Sequence, residues 1–243
     1  MPEGPTIVLM KEDLQKFVGE KVTDVSGSEV PKNSKIRGEI LREIKTFGKQ
    51  TFLIFDTIIF KVHLMMFGSY SFYKRKDIDT LRLGLSFKDE GMFFYTCVVK
   101  VVDESFLSKI NWEADIMSKK WSDDKAIEEM HQHPEMMICD ALMNQDIFAG
   151  VGNIIKNEAL FRASIHPKSL LKNLTESKLK RIIKETKEYG IEFLKYKRTE
   201  TLSKTFQVYH KKKCPKCGGE IIKKETGKSK RMSFFCENDQ KLY

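Results

Sequence analysis

Residues 133–163, HPEMMICDALMNQDIFAGVGNIIKNEALFRA, carry the pattern that decides the fold. Apolar positions recur there at steps of three and four, the period of a helix with a buried face, on both sides of the break AGVG at 149–152. Two helices joined this tightly predict a helix, two-turn, helix unit. A third helix from about Glu176 to Lys197 is expected to turn Leu179, Ile182, Ile183 and Leu194 inward. Upstream, SKKWSDDK at 118–125 is polar, lacks strand alternation and reads as a linker. From Lys21 to Asp103 the spacing shortens to β-rich runs such as TFLIFDTIIFKVHL (51–64) and GMFFYTCVVKVV (91–102), which predict an antiparallel sandwich or barrel. Before them, Ile7, Met10, Leu14 and Phe17 place a helix between Glu3 and about Gly19. After the third helix, VYHKKKCPKC (208–217) and KRMSFFCEND (230–239) read as two short strands, each ending in a cysteine turn. The class is therefore α+β. The expected domains are an N-terminal β-sandwich with a leading helix at 1–117, a linker at 118–130, a helical domain at 131–205 and a β-hairpin module at 206–243.

At 243 residues the chain can build two cores without disulfides. No stretch approaches eighteen consecutive apolar residues and the start MPEGP lacks an apolar signal region, so a cytoplasmic protein with no membrane partner is expected, nucleoid-associated if bacterial. The net charge is +9, and all of the excess lies late: residues 195–243 hold fourteen Lys and Arg against five Asp and Glu, whereas the first 194 balance at 29 each. Such a segment is either solvated surface or a footprint for phosphate backbones, which makes nucleic acid the leading partner. Of five cysteines, Cys97 and Cys139 stand apart and read as inert buried thiols, whereas Cys214, Cys217 and Cys236 gather in the basic tail. A C-x2-C in CPKCGGE is more readily metal-binding than disulfide-forming in a cytosolic chain and has the punctuation of a zinc knuckle.

Chemistry can begin at Pro2. Removal of Met1 would expose a secondary α-amine, and an α-amino group titrates near ~8 against ~10.4 for lysine, so part of it is an available nucleophile at neutral pH. Attack on a sugar C1′ would leave an iminium that cannot lose its charge and so acidifies the C2′ hydrogens. Glu3 beside it could protonate the ring oxygen. Both residues also have ordinary explanations, since proline is common after an initiator Met and glutamate is favoured at a helix start.

MPEGP at the N-terminus, DALMNQDIFAGVGNIIKNEALFRASIHP at 140–167 and the cysteine hairpin together resemble the formamidopyrimidine-DNA glycosylase and endonuclease VIII family over essentially the whole chain. The resemblance implies a bifunctional DNA glycosylase and AP lyase of base excision repair, acting as a monomer on damaged duplex DNA through a Pro2 Schiff base and β,δ-elimination. It makes Pro2 the nucleophile, Glu3 the acid and Lys49, in FGKQTFLIF, a contact to phosphate beside the lesion. Asn153 at the start of a helix and Arg231 before SFFC become phosphate contacts. Met65, Met66 and Phe67 become candidates to fill the gap left by an extruded base, with Met66 as the wedge.

Two departures favour the endonuclease VIII branch and oxidised pyrimidines. YTCVVK lacks the arginine and aromatic of the formamidopyrimidine branch, and RTETLSKTFQVYHKKK is too short for the loop that caps an oxidised purine there. Oxidised-purine excision and a non-catalytic DNA-binding protein on the same scaffold are the alternatives. The finger also departs: Asp239 stands where a fourth cysteine belongs, so the expected zinc site is Cys214, Cys217, Cys236 and Asp239, with His210 as the competing ligand and a zincless, degenerate finger as the remaining case.

Overall fold

The computed structural model describes residues 2–31, 35–75 and 79–243. Its contacts divide into two units. One holds Ile7–Ile110 with the residues before Glu3, and the other holds Glu3–Thr6 with Asn111–Tyr243.

In the first unit, helix α1 (Gly4–Leu14) is continued by a short 3-10 turn, Gln15–Phe17, so that Ile7, Met10, Leu14 and Phe17 are buried as their spacing predicts. Eight antiparallel strands follow: β1 (Asp24–Ser26), β2 (Glu43–Phe47), β3 (Gln50–Ile54), β4 (Ile59–His63), β5 (Ser69–Ser71), β6 (Leu81–Ser86), β7 (Gly91–Tyr95) and β8 (Val98–Val102). They form two four-stranded sheets, in the orders β1-β6-β7-β5 and β2-β3-β4-β8. Alternation sends Leu53, Phe60, Val62 and Val99 from one sheet, and Leu83, Leu85 and Phe94 from the other, into a core shared with α1. The β2–β3 hairpin turns on Gly48 and Lys49, with Gly48 at φ 55°, the left-handed geometry such a two-residue turn requires. A short helix, α2 (Glu104–Ser108), capped by Asp103, ends the unit.

The second unit is helical. It contains α3 (Asp123–His131), α4 (Ile138–Met143), α5 (Asn153–Ala163) and α6 (Glu176–Arg198), followed by the hairpin β9 (Ile222–Thr226) and β10 (Arg231–Phe235). Helix α6 buries Leu179, Ile182, Ile183, Thr186, Tyr189, Gly190 and Phe193 on one face. Leu194, expected inward, is only half-buried because Phe193 occupies the stripe.

Two expectations are corrected. Residues 118–130, read as a linker, hold most of α3. Ser122 caps it by accepting from Lys125 N at 3.2 Å, and Ala126, Ile127 and Met130 join the helical core beneath a buried Trp121. The stretch VYHKKKCPKC does not supply the first hairpin strand, which comes later, at Ile222–Thr226. The N–H groups of Gln207, Val208 and Tyr209 are instead taken by the Glu158 carboxylate, which removes them from any ladder. The hairpin rests on a small core of its own, Phe161, Val208, Cys214, Ile221, Phe234 and Cys236. No helix among the described residues is long and apolar enough to cross a membrane.

Candidate active site and metal centre

The first four N–H groups of a helix have no partner within it, and the aligned peptide dipoles make that end partly positive. At the start of α5 they are met by a carboxylate from the far end of the sequence. Glu3, with no exposed surface, accepts from Ile154 N at 2.7 Å on Oε1, and from Gly152 N at 3.0 Å and Ile155 N at 3.2 Å on Oε2. The second glycine of AGVG is required for room rather than for backbone freedom. A Cβ on Gly152 would lie 2.4 Å from Glu3 Cδ. Gly4 N donates to Gly150 O at 2.8 Å, and a Cβ on Gly4 would lie 2.9 Å from Gly150 Cα, so backbone meets backbone immediately after Glu3. Pro2, half-buried, immediately precedes this fixed carboxylate. Met1, whose removal would free the amine, lies outside the described residues.

Asn153 opens α5 at 7% exposure, and its buried Oδ1 meets no hydrogen-bond donor among the described residues. The residue preceding it, Gly152, takes the N-cap position, so Asn153 is the first helical residue. Beside it stands Tyr209, whose phenol is pushed up by burial, pulled back by the Asn153 amide and pushed further by the Glu3 charge. Tyr209 is held from behind by its own N–H on Glu158 at 2.8 Å. Sequence reasoning missed this tyrosine; the signal available was its place in the polar VYH stretch just before the cysteines.

Arg231 is exposed at the first position of β10, opposite Thr226. The turn before it is fixed by the Asp140 carboxylate, which accepts from Lys228 N at 2.9 Å and sits so close to Gly227 that a Cβ there would fall 2.3 Å from Oδ1.

In the first unit, Lys49 lies in the β2–β3 turn and its charge reaches His63 at the end of β4. Burial pushes the His63 imidazole down and the Lys49 charge adds to that. His63 Nδ1 accepts from Met65 N at 3.0 Å, where Met65 adopts φ 54°. The tip that follows exposes Met65, Met66 and Phe67, with Phe67 at 79%, and Gly68 closes it by donating to Leu64 O at 2.8 Å. These three side chains are loop tip rather than core. Lys49 and Met65–Phe67 thus cluster in one unit, and Glu3, Asn153 and Arg231 belong to the other.

Among the described residues one set of side chains has the geometry to hold a metal ion: Cys214, Cys217 and Cys236 with Asp239, their ligand atoms all within 4.8 Å of one another. Asp239 Oδ2 lies 2.9 Å from Cys214 Sγ and 3.4 Å from Cys236 Sγ, and Cys217 and Cys236 are 3.5 Å apart. The 3.4 and 3.5 Å separations match the edges of a tetrahedral site with bonds of about 2.0–2.3 Å, and the 2.9 Å one is shorter than such an edge. His210 is not part of the set. Its ring packs on Tyr209 at 4.4 Å and Phe234 at 4.7 Å. Cys97 and Cys139 are buried free thiols, and burial pushes both upward, Cys97 to about 12.

Residues 1–100 match the family described as formamidopyrimidine-DNA glycosylase N-terminal domain, and residues 115–203 match the formamidopyrimidine-DNA glycosylase H2TH domain. Endonuclease 8-like 3 of Mus musculus is 29% identical over 237 residues, covering 90% of this chain and 39% of that protein. Its counterpart in Xenopus laevis is 31% identical over 220 residues, covering 86% and 36%. The chain therefore spans little more than a third of the length of these relatives. Among solved structures, a viral DNA glycosylase superposes with a TM-score of 0.87 at 19% identity over 98% of this chain and 100% of that one, a likeness of fold.

Proposed function

The chain belongs to the formamidopyrimidine-DNA glycosylase and endonuclease VIII family, on its endonuclease VIII-like side, and from that premise we propose that it is a bifunctional DNA glycosylase and AP lyase of base excision repair. The observation that carries this reading is the Glu3 carboxylate, locked on three N–H groups of α5 directly after Pro2. With Met1 removed, the Pro2 nitrogen attacks C1′ of a damaged nucleotide while the bond from C1′ to the base breaks and the base leaves with its electron pair. The Glu3 carboxylate takes the proton that the Pro2 nitrogen releases and passes it to the ring oxygen as the sugar opens, which leaves an iminium joining Pro2 to C1′. Loss of a C2′ proton then expels the 3′ phosphate, and a second elimination expels the 5′ phosphate.

Fixing the acid in one orientation is what such a step needs, because proximity contributes only when the reacting groups are already aligned. Lys49, Asn153 and Arg231 hold flanking phosphates in this reading, and the exposed tip Met65–Phe67 fills the vacated stack. Duplex DNA is the proposed substrate and a monomer the proposed working form. Oxidised pyrimidines are the proposed lesions. Tyr95 and Val98 are joined through Thr96 and Cys97 alone, with Thr96 at φ 50°, which leaves no loop from which an arginine and an aromatic could enter the stack. The four cysteine and aspartate ligands fit zinc. A bound ion would tie the two turns of the hairpin module together and take no part in bond breaking.

Borohydride added during reaction with duplex DNA carrying an oxidised pyrimidine should trap a covalent adduct, mapped by mass spectrometry to Pro2. An adduct on a lysine, or none on any lesion of a panel, overturns the mechanism. Metal analysis of protein purified without chelator should give one zinc per chain, lost in Asp239→Ala; no zinc in the parent removes the site.

A further inference from the structure

Among the largest fully buried side chains is a lysine. Lys156, on the second turn of α5, is 1% exposed. Its amine donates to Met232 O at 3.2 Å and to Ser233 Oγ at 3.0 Å, both on β10. The next residue does related work. Asn157 accepts from Phe234 N at 2.8 Å on Oδ1, and its amide nitrogen reaches Met232 O at 3.4 Å while donating to Asn153 O at 2.7 Å.

The pattern has a simple logic. β10 pairs with β9 on one side only, so the outward N–H and C=O groups of Met232 and Phe234 would be left without a strand to bond. Two consecutive side chains of α5 stand in for that missing strand. A slip of one residue along β10 would turn every side chain to the opposite face, Arg231 included.

We propose that Lys156 is a positioning residue that holds β10 in the register and orientation from which Arg231 grips a DNA phosphate. Arg231 lies one residue before the carbonyl that Lys156 holds, and Asp140 fixes the turn on the other side, so the arginine sits between two anchors. A buried ammonium carries a desolvation cost that a methionine, one atom shorter, would avoid, which is why its placement calls for a role. The groups facing it are Cys139 and Asp140 from α4, Glu3 from the chain start and Arg231 from β10; burial, helped by the Arg231 charge, outweighs the other three and takes the amine down to about 8.

The proposal rests on the reading of Arg231 as a phosphate contact, and a double-mutant cycle separates the two. Full-chain Lys156→Met, Arg231→Ala and the double variant are titrated with an oxidised-pyrimidine duplex across a salt series. Each single variant should weaken binding on the order of tenfold. Each should also flatten the slope of log K against log salt by about 0.9, one phosphate. The double variant should be no weaker than Arg231→Ala. In turnover the loss should appear in KM and not in kcat. Amide exchange at Met232–Phe234 should accelerate in Lys156→Met while that of Gln207–Tyr209 stays as in the parent. Multiplying losses in the double variant, or a fall in kcat at unchanged KM, overturns the proposal. If Arg231→Ala binds as the parent does, the phosphate reading of Arg231 falls and the proposal with it; if only Lys156→Met binds as the parent does, the proposal alone falls. Should Lys156→Met not fold, Lys156→Gln enters the same cycle under the same criteria.

Discussion

Helices α5 and α6 pack against each other and solve burial in opposite ways. α6 runs 23 residues, buries one stripe and leaves the remainder to water, where Lys180–Glu176 and Lys184–Glu188 pair along its surface. α5 runs only 11 residues and buries all of them except Arg162, which pairs in two bonds with Glu192 of α6 at 2.7 and 2.8 Å. Four of the buried ones, Asn153, Lys156, Asn157 and Glu158, are polar. α6 has one neighbouring face to satisfy and is amphipathic. α5 is enclosed by the chain start, by residues 207–209 and by β10: its first N–H groups hold the chain start, the Glu158 side chain holds residues 207–209, and Lys156 and Asn157 hold β10. Polarity inside an enclosed helix therefore marks where other segments dock rather than where solvent lies.

The difference should be measurable as a falling series of effects. Gly152→Ala places a methyl inside the Glu3 carboxyl group and displaces it by more than its hydrogen bonds tolerate. Base excision in single turnover should fall by about 100-fold or more, and a tenfold loss or less would show that the α5 start is not needed to orient Glu3. Glu158→Gln replaces one of the acceptor oxygens that hold Gln207, Val208 and Tyr209, and urea unfolding should register a loss of about 2–3 kcal/mol.

Lys156 tests the comparison through pH. Its amine titrates near 8 when folded and near 10.5 when unfolded, so between those values the unfolded chain carries more protons and stability rises with pH. The contribution is complete above the unfolded value and is lost as pH falls through 8. Over that window the parent should gain on the order of 2 kcal/mol relative to Lys156→Met, and a constant difference between the two would show that the amine is not desolvated. At the small end, Lys180→Ala on α6 should leave the urea midpoint within its measurement error, and any difference should shrink further in high salt.

Periodicity made α1, α6 and the alternation of the strands legible, because each faces one core and repeats accordingly. It could not show α3 as structure. SKKWSDDK looks like linker because its polar letters hide Ser122 as a cap and Trp121 as a core residue. Nor could it show what Lys156, Asn157 and Glu158 do, since their partners lie 49 to 77 residues further along. Residue type alone does not separate core from loop tip for Met65, Met66 and Phe67, and the left-handed backbone of Met65 with its exposed neighbours places them at the tip. Pro2 and Glu3 could be proposed as amine and acid from the sequence, but the need for glycine at 152 became visible only once Glu3 was seen against it. Tyr209 carried only its place just before the cysteines as a signal.

The contacts that orient Glu3 come from residues 149 to 152 positions later in the chain. During synthesis, those donors do not yet exist when the β-strand region has already left the ribosome, and truncated or misfolded chains never provide them. Glu3 is thus held in its orientation only after the helical half has been made and folded, so a chain cut short before α5 keeps the residue and loses its alignment.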